Sequence, residues 1–454
     1  MTVIIVDAEC NFSHHLHAAE SVVATDLNGG DITWRMFCQD VARLRDAILD
    51  RKVQEWVLCI SDSYDFAVAF CAVLGSGNSV FLPGNVQPET LSALAASGRG
   101  YLHDGEAVAG FAATISLPLG EPGASDDKFT VDDVDGLRIT LLTSGSTGQP
   151  KAVTKSFANL LTEVCVLEEM WGDVVRGSRV VATVTHRHIY GLLFRVLWPL
   201  LAGNPFDRRL LVFPEEVLAE AGPDTVVISS PALLTLFTGS TAKPCRAIFS
   251  SGGLLPYDAA VACRNVLGFL PFEVFGSTET GGVAWRQQFH PDTPWTLFPG
   301  VNVQIGDDQS LIVQTPYVTP SVPLVTGDAV CAVGDRQFVW QGRMDRIVKI
   351  AEKRISMAEV ERVLGQCEWV RAAAVVVLGE PDHPVLGAVV VLTPAGHLAL
   401  QELGTGLFRL QLRAVLRRWL EPAAIPRRYR EVDVLPVNAQ GKLVQQALCT
   451  LFAK

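Results

Sequence analysis

Short apolar runs alternate along the chain with stretches whose apolar positions recur every three or four residues, the pattern of a layered α/β protein. Residues 53–60 (VQEWVLCI) predict a buried strand, residues 65–77 (DFAVAFCAVLGSG) a helix closed by glycine, and residues 78–83 (NSVFLP) a second strand. The strand signal returns at 137–143, 178–184, 224–230, 246–251 and 272–276, with a helical stretch at 257–268. Past residue 295 the apolar period shortens to two. VNVQIG, QSLIVQT, DAVCAV and RQFVWQG, with turn residues between them, predict a small antiparallel or barrel-like region. A last section carries strands in RAAAVVVL and GAVVVL and a helix over 408–420. The polar stretch QGRMDR (341–346) marks the boundary before it. The expected fold is therefore α/β. A large N-terminal domain, 1–344, holds layered sheets and helices plus the barrel-like subdomain, and a small α+β domain, 345–454, follows.

Composition narrows the class. A chain of 454 residues exceeds what one compact core usually takes, and 49% apolar with 19% charged residues is a globular balance. Lys plus Arg is 37 against 48 Asp plus Glu, a net charge of −11, which argues against nucleic acid or an anionic membrane surface as the main partner. The ten cysteines form no C-x-x-C pair, so neither a zinc site of the usual spacing nor a disulfide scaffold is expected. MTVIIVDAEC lacks the basic start of a secretory signal, and no apolar run reaches the roughly 18 residues of a membrane span. A cytoplasmic protein is the expectation.

The most informative segment is LLTSGSTGQPK (141–151), where an apolar strand runs into Thr143, Ser144, Gly145, Ser146, Thr147 and Gly148, then Pro150 and Lys151. Glycines let successive N–H groups turn inward, hydroxyls add donors and the lysine adds a compact cation, which together suit phosphate. The loop is not a Walker A motif, since Pro150 stands where that motif needs glycine, and it lacks the third glycine of a dinucleotide fingerprint. Read alone, it is either a phosphate cradle or a flexible Ser/Gly turn.

It does not stand alone. FGSTETGG (275–282), TGD (326–328), GRMDRIVK (342–349) and PVNAQGK (436–442) follow in that order. The set resembles the adenylate-forming superfamily of acyl- and aryl-CoA synthetases, peptide-synthetase adenylation domains and luciferases, over most of the chain from about residue 30 onward. The resemblance implies that ATP and Mg²⁺ activate a carboxylic acid as an acyl-adenylate, with release of pyrophosphate. It places the loop 143–151 on the β- and γ-phosphates with Lys151 neutralising them, Thr278 on the α-phosphate and Glu279 on Mg²⁺. Phe275 would lie against the adenine, Gly252 and Gly253 would let the base approach the backbone, and Asp328 and Arg343 would bind the ribose hydroxyls. Lys442 would stabilise the pentavalent transition state. The acid would sit beside His188, Tyr190, Gly276, Gly281, Gly282 and Val283. Family members rotate a mobile C-terminal domain about a hinge, which matches Asp345, and then pass the acyl group to the thiol of CoA or of a carrier protein's phosphopantetheine.

Two departures bear on that second step and on the acid. Glu352 occupies the glycine position of K-x-x-G-x-R-I, in the run from Lys349 to Ile355, beside the expected thiol channel. The family's P-x-x-H-x-x-G appears as Thr185-His186-Arg187-His188-Ile189-Tyr190-Gly191 without its proline. The part before the phosphate loop is shorter than the family's usual.

Amino-acid-activating members place an aspartate in this segment, whereas residues 183–200 contain no carboxylate. Burying an ammonium there without a partner would be costly. Their apolar, aromatic character suits an aryl or medium-length acyl acid. The segments HRHIYGLLFRVLWPL and FGSTETGGVAWR resemble the synthetases of bacterial aryl polyene-type pigment pathways, which implies a hydroxybenzoate-type starter.

Between 409 and 430 stand Arg409, Arg413, Arg417, Arg418, Arg427, Arg428 and Arg430 against Glu421 alone. This is either a solvated helix face or a positive patch for an acidic acyl carrier protein or the phosphates of CoA. A medium- or long-chain fatty acyl-CoA synthetase, an adenylating oxygenase and a non-catalytic nucleotide-binding relative remain alternatives.

Overall fold

The computed structural model describes residues 18–25, 30–118, 131, 133–144, 150–239, 243–307, 309–343, 347–350, 353–380, 383–436 and 445–453. The chain divides into two compact units. One comprises Met1–Gly84, Leu94–Leu142 and Ala152–Met344, the other Asn85–Ala93, Thr143–Lys151 and Asp345–Lys454.

In the first unit a thirteen-stranded sheet carries the fold. Its parallel part pairs Arg179–Ala182, Thr225–Ser229, Ala247–Ser251 and Phe272–Ser277 in neighbouring positions. Each is a short apolar run ended by small polar residues, which the sequence pattern predicts to within one or two positions. Beyond Phe272–Ser277 the direction reverses. Gly281–Arg286, Trp295–Leu297, Gln337–Arg343, Leu324–Gly334, Ser310–Gln314 and Asn302–Ile305 continue the same sheet antiparallel. The alternating segments after 295 are these strands.

The helix Phe157–Val175 packs on this sheet through Trp171. Its ring lies 5.1 Å from Phe249, 5.4 Å from Phe272 and 5.7 Å from Phe298. Ser156 caps that helix by accepting from Asn159 N–H, and the Asn159 side chain accepts from Ser156 N–H in return, which fixes where it starts. A six-stranded sheet, in the order Ala113–Ser116, Gly100–His103, Glu55–Cys59, Ser79–Leu82, Arg138–Ser144 and Pro150–Ser156, ends in the hairpin that bears the glycine-rich loop.

In the second unit Val370–Leu378, Val385–Leu392 and Arg428–Glu431 form a three-stranded sheet. It is covered by Met357–Gly365 and by Pro394–Arg417. The helix expected over 408–420 is the second half of Pro394–Arg417, which breaks at Gly404 where φ is 71°. Only glycine adopts that left-handed conformation readily.

Candidate active site

The segments FGSTETGG and SSGG leave neighbouring parallel strands at their carboxyl ends, since Ser251 pairs with Val274. In open α/β sheets that end is where ligands bind. Phe272–Ser277 and Gly281–Arg286 form a tight hairpin, with Gly276 opposite Gly282 and Ser277 opposite Gly281. Thr278, Glu279 and Thr280 are its tip.

The turn closes on itself. Ser277 N–H donates to Thr280 Oγ1 at 3.1 Å, Thr280 N–H donates to Ser277 Oγ at 3.2 Å, and Thr280 Oγ1 donates to Gly281 O at 2.9 Å. These bonds leave the half-buried Thr278 and Glu279 side chains at the end of a rigid support. Glycine is required at Gly281, where φ is +72°, and a Cβ on Gly276 would stand 2.2 Å from Gly281 O.

The other expected nucleotide contacts lie on strands of the same sheet or directly after them. Phe275 is half-buried, with its ring 5.4 Å from Trp295 and 5.5 Å from Phe338. Gly252 is exposed with φ +86°, and Gly253 follows it. Asp328 and Arg343 lie directly opposite each other in the ladder between Leu324–Gly334 and Gln337–Arg343. Asp328 Oδ1 accepts from Trp340 Nε1 at 3.0 Å. Two residues from separate motifs are thus paired across neighbouring strands. The side chain of Arg343 lies outside the described residues.

At the neck of the phosphate-loop hairpin, Thr143 Oγ1 donates to Lys151 O at 3.3 Å. Gly145, Ser146, Thr147 and Gly148, the Ser144 side chain, Asp345, Glu352 and Lys442 lie outside the described residues.

The segment expected to line the acid folds as a short turn, Ile189–Gly191, followed by the π-helical Leu192–Leu197. π-helical turns within helices are frequent at functional sites. His188 is exposed and stands at the N-cap of this segment. Tyr190 packs 4.8 Å from Phe194, and Phe194 lies 5.4 Å from Phe249. Val283 is buried in the same apolar core as Phe194 and Phe249.

Sequence reasoning passed over four buried polar residues. His186 stacks on Phe66 at 4.0 Å, with Nε2 2.8 Å from Ile60 O. Burial, with the nearby Arg195 charge, holds its pKa well below the usual imidazole value. Arg195 is fully buried and donates to the carbonyls of Val184, Arg208 and Arg209, which ties the segment after Arg179–Ala182 to the strand Phe206–Leu210. Burial brings its pKa down to about 10.

Glu163 and Lys155 are each 2% exposed. Gly282 N–H donates to Glu163 Oε1 at 2.6 Å, and Lys155 Nζ donates to Tyr317 O at 2.9 Å. Desolvation pushes the Glu163 carboxyl up and the Lys155 ammonium down, while their opposite charges oppose both shifts. Nothing in the residues around them distinguishes these two from solvent-facing charges.

For a divalent cation, the described residues contain no cluster of three or more His, Cys, Asp or Glu. Glu279 at the hairpin tip fits Mg²⁺, which usually takes one or two carboxylates and completes its shell with substrate phosphates and water. Among the described residues no helix is long and apolar enough to cross a membrane.

The sequence matches the family model of the AMP-binding enzyme over residues 106–319 and that of the AMP-binding enzyme C-terminal domain over residues 359–442. It is 30% identical to 4-coumarate–CoA ligase of Halorhodospira halophila over 318 residues, 67% of this chain and 74% of that protein. Feruloyl-CoA synthase of an Amycolatopsis species is 26% identical over 474 residues, 92% of this chain and 93% of that one. The fold is shared with o-succinylbenzoate CoA synthetase from Bacillus subtilis, with a TM-score of 0.77 at 20% identity, covering 97% of this chain and 98% of that one.

Proposed function

The chain belongs to the AMP-binding, adenylate-forming enzymes, an AMP-forming acid–thiol ligase that uses ATP, Mg²⁺ and CoA, and from that premise we propose which residues carry the reaction and which acid it takes. The observation that carries the reading is the TETGG hairpin. It offers a hydroxyl, Thr278, and a carboxylate, Glu279, at the carboxyl end of the parallel strands.

In the proposed reaction the acid's carboxylate attacks the α-phosphorus of ATP. The bond to the β-phosphate oxygen breaks and pyrophosphate leaves. Thr278 orients the α-phosphate, and the loop from Thr143 to Lys151 holds the β- and γ-phosphates. Asp328 and Arg343 hold the ribose, and Phe275 with Gly252 and Gly253 holds the base. Mg²⁺ bound by Glu279 supplies charge neutralisation on the phosphates. Lys442 stabilises the charge that develops on the pentavalent phosphorus. The C-terminal domain then turns about Asp345, and the thiol attacks the acyl carbon as AMP leaves.

The acid is aromatic, of the hydroxybenzoate or hydroxycinnamate type. Support comes from the Tyr190 and Phe194 rings of the acid-binding segment, the latter packed on Phe249, from the segment's lack of carboxylates, and from the hydroxycinnamate ligases among the relatives. The pathway is pigment- or polyketide-type biosynthesis in the cytoplasm. The acceptor is CoA or an acidic acyl carrier protein that meets the arginines between 409 and 430.

Pyrophosphate exchange into ATP over benzoates, hydroxybenzoates, cinnamates, fatty acids of four to twelve carbons and amino acids tests the reading. Exchange confined to an aromatic subset is expected. Exchange with fatty acids alone would replace the aromatic acid by an aliphatic one, and silence with ATP still bound would favour a non-catalytic relative.

A further inference from the structure

Behind the hairpin tip lies a layer of charge that the proposed reaction does not use. Glu163 sits on the sheet-facing side of Phe157–Val175, and its carboxylate is cut off from solvent. One oxygen accepts the Gly282 N–H at 2.6 Å, while the other, Oε2, is buried with no hydrogen-bond donor among the described residues. Gly281 abuts this second oxygen, because a Cβ there would stand 2.7 Å from it and 2.9 Å from Tyr317 Cδ2. Lys155 reaches the same layer from the strand Pro150–Ser156 and is anchored on Tyr317 O. Its ammonium is within electrostatic reach of both Glu163 and Glu279.

A purely structural need would be met more cheaply. A buried charge costs several kcal/mol to desolvate, and apolar residues of the same volume typically serve packing as well. Glu163 is bonded to the hairpin at Gly282, and Lys155 to Tyr317, whose ring abuts Gly281 of the same hairpin.

We propose that Glu163 and Lys155 are positioning residues for adenylation. Glu163 fixes the base of the TETGG hairpin through the Gly282 N–H, and its negative charge balances Lys155 so that Glu279 keeps its full charge for the cation. The inference rests on the reading of Glu279 as the Mg²⁺ carboxylate.

The test compares wild type, Glu163→Gln and the isoelectric pair Glu163→Gln with Lys155→Met. Mg²⁺ is titrated against each protein at fixed ATP by calorimetry, and pyrophosphate exchange is measured alongside. Glu163→Gln keeps an acceptor for Gly282 but leaves Lys155 uncompensated. Its Mg²⁺ half-saturation is expected to rise by about 10-fold, the scale seen when a group supporting a metal ligand is lost, with a fall in kcat and little change in the KM for the acid. The double variant is expected to recover most of the wild-type Mg²⁺ affinity.

Glu163→Gln that melts earlier but titrates Mg²⁺ like wild type would overturn the proposal and leave a packing role. If Glu163→Gln does not fold, the double variant decides. Wild-type Mg²⁺ affinity supports charge balance, and an affinity as weak as that of Glu279→Gln overturns it. Failure of the wider reading looks different, because wild type would then bind Mg·ATP yet exchange with no acid.

Discussion

His186 illustrates what a single buried group does to the whole. Its imidazole is neutral in the fold because burial and the Arg195 charge disfavour the proton. In the unfolded chain it titrates at the ordinary value near 6.5. The unfolded state therefore binds more protons below that value, and the stability from neutral His186 is complete above it and lost as pH falls toward the depressed folded pKa. The expected loss is at most about 1.4 kcal/mol for each pH unit. Urea unfolding at pH 7.5, 6.5 and 5.5 checks it: wild type should lose stability more steeply than His186→Gln, and parallel slopes would mean the ring is protonated in the fold. At Lys442 the argument is electrostatic rather than structural. Lys442→Ala is expected to slow pyrophosphate exchange by about 10²–10³, the scale of one lost oxyanion donor, while ATP binding by calorimetry changes little. A loss in ATP affinity of the same size would make Lys442 a ground-state contact instead.

At the scale of elements, close approach between the hairpin and the helix behind it governs the site. A Cβ on Gly282 would stand 2.2 Å from Phe298 Cε2, and Phe298 is itself locked against Trp171. Neither ring has room to give, so Gly282→Ala should cost about 1–3 kcal/mol as overpacking and should slow exchange as the tip shifts. Gly334→Ala, whose Cβ would meet only Gln337 Oε1 at 3.8 Å, serves as the control and should melt like wild type. The same geometry shows what the chain made legible. The strands 55–59, 225–229 and 272–277 were readable because each is an apolar run bounded by polar or small residues. Pro150–Ser156 was not, since Lys151, Lys155 and Ser156 mask any alternation, and its identity as a strand comes from pairing in a hairpin. The hairpin tip was legible because Thr278 and Glu279 sit in a motif with glycines around them. Glu163 was not, because its partner lies 119 positions away and a glutamate on a helix ordinarily faces water.

Across the whole molecule charge is unevenly distributed. The net charge is −11, yet the C-terminal domain carries a cleft of about 340 Å³ lined by Arg409, Arg413, Arg427, Arg428 and Arg430. Arg409 is spent on Glu431, through bonds of 3.0 and 2.9 Å, and Arg428 and Arg430 donate to the carbonyls of Phe452 and Leu451. Arg417 and Arg427 are exposed, so they form the part of the patch an approaching acidic partner would feel first. Steering of that kind acts on association and fades with salt. Arg417→Glu with Arg427→Glu should therefore leave pyrophosphate exchange unchanged, because adenylation is complete before the acceptor arrives. Transfer to an acidic carrier protein should fall by about 10-fold in kcat/KM at low ionic strength, and the deficit should shrink as salt is raised. Transfer to CoA measured in parallel identifies the natural acceptor. A deficit confined to the carrier protein assigns the patch to protein docking, an equal deficit for CoA assigns it to phosphate attraction, and no deficit at any salt leaves it a solvated helix face.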